Sequence, residues 1–237
     1  HSLLEMGITG MKIWPFDFAA EASNGSYISA ADLNTALEPF RKIREAVGDR
    51  MDVMAELHAL WNVPAGRQVI AALEQYNPLW IEDPVFMNQL DSLGELQAST
   101  RVQIATGETL GGLGQFKELL QNRGCGVAIM DLTWCGGISE ARRITALAEA
   151  WHTSVAFHDC TGPIALAAST HMALNASNCF VQEMVRAFYY GWYGDLVTAL
   201  PPVANGRIRA PEGAGLGLAL NAERLAQSDV HMRRSQS

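Results

Sequence analysis

Residues 79–83 read Leu-Trp-Ile-Glu-Asp (LWIED), and this short run decides the fold. It is apolar until it ends in acid, whereas a half-exposed strand would alternate apolar with polar. A strand buried on both faces of a parallel sheet has this pattern. Runs of the same kind recur on either side. Upstream lie 52–58 (DVMAELH) and 10–16 (GMKIWPF). Downstream lie 103–107 (QIATG), 127–132 (VAIMDL), 154–158 (SVAFH) and 179–183 (CFVQE).

Amphipathic stretches of helical length separate the runs. Residues 31–47 carry Leu33, Leu37, Phe40, Ile43 and Val47 at steps of three or four, which puts them on one helix face. Ser29 three residues before Asp32 reads as a capping start, and Gly48 as the stop. Residues 65–76, 89–98, 113–122, 139–151 and 163–175 read as helices in the same way. Strands alternating with helices predict βαβ units and a parallel sheet. No Gly/Ser-rich linker interrupts the pattern, so the expectation is one domain over 1–237.

The spacing sharpens this to a barrel. The polar residues at the run ends are Glu56, Glu82, Glu108, Asp131, His158 and Glu183, at steps of 26, 26, 23, 27 and 25. One strand, one helix and two loops need about that many residues. A TIM-type barrel gathers such strand ends on one face, where its enzymes keep their active sites. An open doubly wound sheet would spread them along an edge, and no GxGxxG follows the first run to support dinucleotide binding. Seven runs are present where a barrel wants eight. The opening HSLLEMG reads as a last helical turn closed by Gly7, and it has no initiator Met. The expectation is therefore a barrel missing its first strand.

Composition narrows the function. The chain is 49% hydrophobic and 18% charged, with 21 Gly and 9 Pro, which excludes disordered and collagen-like classes. A net charge of −8 without blocks of like charge argues against nucleic acid or anionic membrane as partner. No apolar run approaches the ~18 residues of a membrane span. The four cysteines form no CxxC pair, and the expectation is free thiols in a reducing, cytoplasmic compartment.

Glu56, Glu82 and Glu108 are the first chemical candidates. Buried side by side, three carboxylates repel unless something neutralises them, and Mg²⁺ is a hard cation suited to such oxygens. Any one of them alone reads more readily as a surface glutamate at a loop start, and three at equal spacing, each ending an apolar run, reverse that. Asp131 and His158 follow on successive runs, either as a base with its orienting carboxylate or as a core histidine bonded for stability. His58 stands two residues after Glu56, so strand geometry predicts the same face and a place near the cation, opposite His158. A solvent-touching histidine is the alternative. Glu183 either bonds a developing oxyanion or pairs with Arg186. Lys12 either balances charge near the cation or snorkels at the surface.

At these residues the sequence resembles the enolase superfamily, and within it the mandelate racemase-like acid-sugar dehydratases of galactonate and mannonate type. The matching pieces are MAELHALW, WIEDP, IATGETL, MDLTWCGGISEARRI, VAFHDCTGPIALAAS and VQE. PPVANGRIRAPEGAGLGLAL looks like the family's carboxyl-terminal return segment, placed here at about 200–237. The resemblance implies a modified (β/α)₇β barrel behind an α+β capping domain, and an essential Mg²⁺. It puts Glu56, Glu82 and Glu108 at the metal positions and Asp131 and His158 at the proton-abstracting dyad. Glu183 falls where the substrate carboxylate or enediolate is hydrogen-bonded, and His58 where a general acid serves the departing hydroxyl.

Two departures matter. Trp14 stands in Lys12-Ile13-Trp14 where some members carry a second catalytic lysine, so two-base racemisation is not expected. Glu56 occupies a position where Asp is commoner. The implied activity is Mg²⁺-dependent dehydration of a small sugar acid to a 2-keto-3-deoxy acid, by the homo-oligomeric parent of a truncated chain that is itself weakly active or inactive. A one-base epimerase or cycloisomerase on the same scaffold, and a catalytically silent binding barrel, are the alternatives.

Overall fold

A computed structural model of the chain describes residues 1–228, 230–231 and 233. All seven runs form strands: β1 Gly10–Ile13, β2 Asp52–Glu56, β3 Trp80–Glu82, β4 Gln103–Thr106, β5 Val127–Met130, β6 Ser154–Phe157 and β7 Cys179–Gln182. They make one parallel sheet in the order β1-β2-β3-β4-β5-β6-β7. Helices Ala30–Val47, Val63–Leu73, Asp91–Ser99, Gly112–Gln121, Ile138–Ala150 and Pro163–Asn175 fill the crossovers. Ser29 caps the first of these through its Oγ, which accepts from Asp32 N at 3.0 Å.

The strands stop earlier than the apolar runs do, for local reasons. β1 ends at Ile13 because Trp14 precedes Pro15, which lacks an N–H for the ladder. β2 ends at Glu56 because His58 and Ala59 turn to φ 50° and 55°.

Period two sorts the strand side chains into two layers. Val53, Ala55, Ile81, Ile104, Ala128, Met130, Val155 and Phe157 pack outward against Leu37, Phe40, Val69, Leu73, Leu93, Leu119 and Ile144 of the helices. Each Val, Leu, Ile, Phe or Met side chain fully buried there contributes ~1.5–3 kcal/mol. Met54, Trp80, Ala105, Val127, Ile129 and Ala156 form a smaller inward cluster, with Val181 against it. The sheet curls around this cluster. The Trp80 ring on β3 meets the Phe180 ring on β7 edge-on at 5.9 Å, and Lys12 of β1 reaches Glu183 just past β7 at 3.1 Å. The fold is that of a TIM-type barrel wall of seven parallel strands. Among the described residues no strand pairs with the outer edge of β1 or of β7.

Beyond β7 a hairpin of Val203–Ala204 and Arg207–Ile208 folds back to the start of the chain. Its turn lies so close to Gly7 that a Cβ on Gly206 would sit 2.0 Å from the Gly7 carbonyl oxygen. Of the expected return segment, residues 229, 232 and 234–237 lie outside the described residues. All four cysteines are free thiols. No helix among the described residues is long and apolar enough to cross a membrane.

Candidate active site

The inward face explains which polar residues meet. Stepping two residues from Met54, Trp80, Ile129, Ala156 and Val181 gives Glu56, Glu82, Asp131, His158 and Glu183, all at the carboxyl ends of strands. Glu108 breaks this rule. Stepping from Ala105 gives Gly107, and Glu108 lies beyond it in a turn rather than at the end of β4. Gly107 has φ +123°, and a Cβ there would lie 2.8 Å from the Ile129 carbonyl oxygen. That kink returns Glu108 to the inward side.

Glu56, Glu82 and Glu108 each present a carboxylate oxygen, all within 4.8 Å of one another. Glu56 and Glu82 are 1% exposed and adjacent in the β2–β3 register. Glu56 Oε1 accepts from the backbone N–H groups of Leu57 and His58 at 3.0 and 2.8 Å. Glu82 Oε2 accepts from Trp80 Nε1 at 2.8 Å. Lys12 enters the same cluster, so charge balance and not surface snorkelling describes it. Its Nζ donates to Glu82 Oε1 at 2.6 Å and lies 2.9 Å from Glu56 Oε2 and 3.1 Å from Glu183 Oε1. Burial pulls the Lys12 ammonium toward neutrality, but the carboxylates of Glu82, Glu183 and Glu56 outweigh it and hold its pKa well above the ordinary value. Burial drives Glu82 well above the carboxylate range despite Lys12, and burial also raises Glu108.

One lysine does not neutralise this set. Glu56 Oε2 is buried and lies 2.9 Å from the Lys12 ammonium, which Glu82 and Glu183 share. Three converging carboxylates sharing one ammonium fit a hard divalent cation.

His158 lies beside the cluster. Its Nδ1 donates to Asp131 Oδ2 at 2.8 Å, and its Nε2 lies 3.3 Å from Glu108 Oε2. Asp131 is held on every side: Thr161 Oγ1 donates to Oδ2, and Thr133 donates to Oδ1 through N and Oγ1 at 2.7 and 2.6 Å. Burial would raise the Asp131 pKa, but the bonds from His158 and Thr133 bring it below the usual value. Burial likewise opposes charge on His158, yet the Asp131 bond and the Glu183 and Glu108 carboxylates push it up to about 9.

His58 departs from expectation. It follows the strand instead of continuing it, so the shared-face argument fails at its left-handed backbone (φ 50°). Its Nδ1 meets Asp17 Oδ2 at 2.9 Å, and its ring meets Trp14 edge-on at 6.1 Å. Asp17 was missed because it lies in the helix Asp17–Ser23, outside the strand pattern. Glu183 does not pair with Arg186, which donates to Ser2 Oγ. Glu183 instead meets Lys12 and accepts from Asp159 N at 3.0 Å.

Two further buried acids were missed although both stand next to assigned residues. Asp83 accepts from the hydroxyl of Thr106 and from Gly107 N at 3.1 Å. Burial, then the nearby Glu56 and Glu108, push it up to about 7. Asp159 accepts from Tyr193 Oη at 3.0 Å and from Val185 N at 2.9 Å. Tyr193 belongs to an aromatic cluster in which it is buried while Tyr190 and Trp192 stay exposed.

Comparison with known proteins gives the family. A D-galactonate dehydratase of Ralstonia nicotianae is 34% identical over 195 residues, covering 80% of this chain and 51% of the relative. One of Xanthomonas euvesicatoria pv. vesicatoria is 32% identical over 206 residues, covering 85% and 54%. The chain thus spans about half the length of these curated relatives. Among solved structures, a mandelate racemase-subgroup enolase from Agrobacterium tumefaciens is 55% identical at a TM-score of 0.92, covering 94% of this chain and 61% of that one. An enolase protein from Sargasso Sea environmental sequencing is 44% identical at 0.92, covering 96% and 61%. Residues 1–224 match the profile of the family described as enolase C-terminal domain-like, and with the strand order and the carboxylate cluster this places the chain in that family, within the enolase superfamily and beside its acid-sugar dehydratases.

Proposed function

We propose that this chain is the catalytic barrel, with its return segment from about residue 200, of a Mg²⁺-dependent hydro-lyase. The enzyme converts a small sugar acid to its 2-keto-3-deoxy acid, works in the cytoplasm and assembles as a homo-oligomer. The observation that carries the reading is the convergence of Glu56, Glu82 and Glu108 beside the His158–Asp131 pair at one end of the sheet. The dehydratase names of the curated relatives support the substrate class.

Glu56, Glu82 and Glu108 would hold the cation. When bound, Mg²⁺ supplies positive charge to the substrate carboxylate and to the oxygen that becomes anionic, and it offsets the carboxylates that raise His158. The chain's own groups move the protons. Asp131 takes the Nδ1–H of His158 and so leaves Nε2 as the face that removes the proton α to the carboxylate. Lys12 sits where negative charge develops, and being preorganised it needs little rearrangement as it does. Glu183 would hydrogen-bond that oxygen through a proton on its carboxyl. Asp17 accepts from Nδ1 of His58, so that the ring in its imidazolium form has its Nε2–H left to protonate the leaving hydroxyl.

The test is 2-keto acid formation from a panel of aldonic acids, galactonate first, with and without Mg²⁺. It is run on this chain alone and on the chain carrying the amino-terminal portion of a dehydratase relative in cis. Mg²⁺-dependent product that disappears in His158→Asn is expected. Full turnover by His158→Asn refutes the base, and solvent deuterium exchange at C2 without loss of water selects the epimerase reading.

A further inference from the structure

The third carboxylate differs from the other two in how it is delivered. Glu56 and Glu82 follow from strand register, but Glu108 depends on the turn after β4. β3 and β4 pair through Glu82 and Ala105, so Asp83 and Thr106 are the first residues past their shared ladder. There a side chain takes over from the backbone. One oxygen, Asp83 Oδ1, accepts both the Thr106 hydroxyl and Gly107 N, the latter at 3.1 Å. The Asp83 backbone is tied to β4 and to the loop after β2: its N donates to the Ala105 carbonyl at 2.9 Å, and its carbonyl accepts from Ala59 N at 2.8 Å. Asp83 is 1% exposed, and Thr106 is fully buried.

We propose that Asp83 is a positioning residue for the cation site: it clamps Thr106 and Gly107 so that Glu108 is held beside Glu56 and Glu82. The proposal rests on the reading of those three glutamates as cation ligands. Asp83 need not touch the cation. Its Oδ1 fixes the hydroxyl and the amide that flank the kink, and one residue later the chain presents Glu108. Without the clamp the turn keeps its glycine but loses the bonds that fix its direction. Partners of ligands are known to tune affinity in this way.

The chemistry separates positioning from charge. Asn keeps an acceptor oxygen for both donors but carries no charge, whereas Ala removes both. Mn²⁺ serves as the probe, titrated into the folded chain and followed through the free-ion signal in electron paramagnetic resonance. Asp83→Ala is expected to weaken Mn²⁺ binding by about tenfold or more, while Asp83→Asn stays much closer to the unsubstituted chain. Thr106→Val removes one of the two donors and is expected to fall between them. It also carries the test if Asp83→Ala fails to fold.

The decisive readout is a double-mutant cycle. If Asp83 acts through Glu108, Asp83→Ala adds no further loss in a Glu108→Gln background. A purely structural role predicts an additive loss there. Unchanged affinity in Asp83→Ala and Thr106→Val, or additivity with Glu108→Gln, overturns the proposal while leaving the cation reading intact. Failure of the unsubstituted chain to bind Mn²⁺ overturns the cation reading, and this proposal with it.

Discussion

Asp159 makes the stability of this chain depend on pH in a way that a single substitution exposes. The side chain is fully buried, its carboxylate taking Tyr193 Oη at 3.0 Å and Val185 N at 2.9 Å. Burial raises its pKa, the bonds from Val185 and Tyr193 oppose this, and the Glu183 carboxylate adds to the rise, leaving it at about 6 against an ordinary 3.8. A carboxyl raised on folding holds its proton where the unfolded chain has lost it. Stability therefore falls as pH climbs from about 4 to about 6 and is level above that. A displacement of roughly two units, at ~1.4 kcal/mol per unit, makes the fall about 3 kcal/mol.

Asp159→Asn cannot ionise and lacks this slope. The variant carries an offset of its own, because Asn has one acceptor oxygen where the carboxylate has two. That offset does not vary with pH, so the comparison is the change in the difference and not its size at one pH. Urea unfolding of both proteins, followed by tryptophan fluorescence from pH 4 to pH 7, measures it. The unsubstituted chain should lose about 2.4 kcal/mol relative to Asp159→Asn across that range, since part of the fall lies below pH 4. A difference that stays level to within about 1 kcal/mol refutes the argument that burial holds the proton on Asp159.

Two further outcomes follow from the same packing. Lys12→Met leaves the Glu56 and Glu82 carboxylates buried without their counter-charge, and urea unfolding at pH 7 should show a loss of about 3–5 kcal/mol; a loss under about 1 kcal/mol would show that Lys12 contributes little there. Gly107→Ala puts a Cβ 2.8 Å from the Ile129 carbonyl oxygen at φ +123°, and thermal unfolding should register a cost of about 1–3 kcal/mol, with an unchanged midpoint counting against the strain.

The repeating runs made the barrel wall legible because both their length and their period are local. Five apolar residues closed by a polar one report a buried strand and its end without reference to any other segment. The polar ends of the runs picked out Glu56, Glu82, Glu108, Asp131, His158 and Glu183, and the period of two explains why all but Glu108 share the inward face, Glu108 reaching it through the kink at Gly107. His58 shows where that logic stops. Counting by twos assumes a strand, and the left-handed backbone at His58 ended the strand first.

What the sequence by itself determined was seven parallel strands in order and a ring of ionisable groups at one end. Tertiary structure decided how those groups are paired. Lys12 reads equally as a charge balancer and as a surface lysine until the sheet curls enough to set β1 opposite the end of β7, where its ammonium meets Glu183 as well as Glu56 and Glu82. Asp83 became a clamp because the β3–β4 register sets it beside Thr106, and Asp159 became buried because Tyr193 folds over it. The difference is physical: alternation along a strand is fixed by steric rules between neighbouring residues, whereas an ion pair or a buried carboxyl depends on which distant segment closes over it.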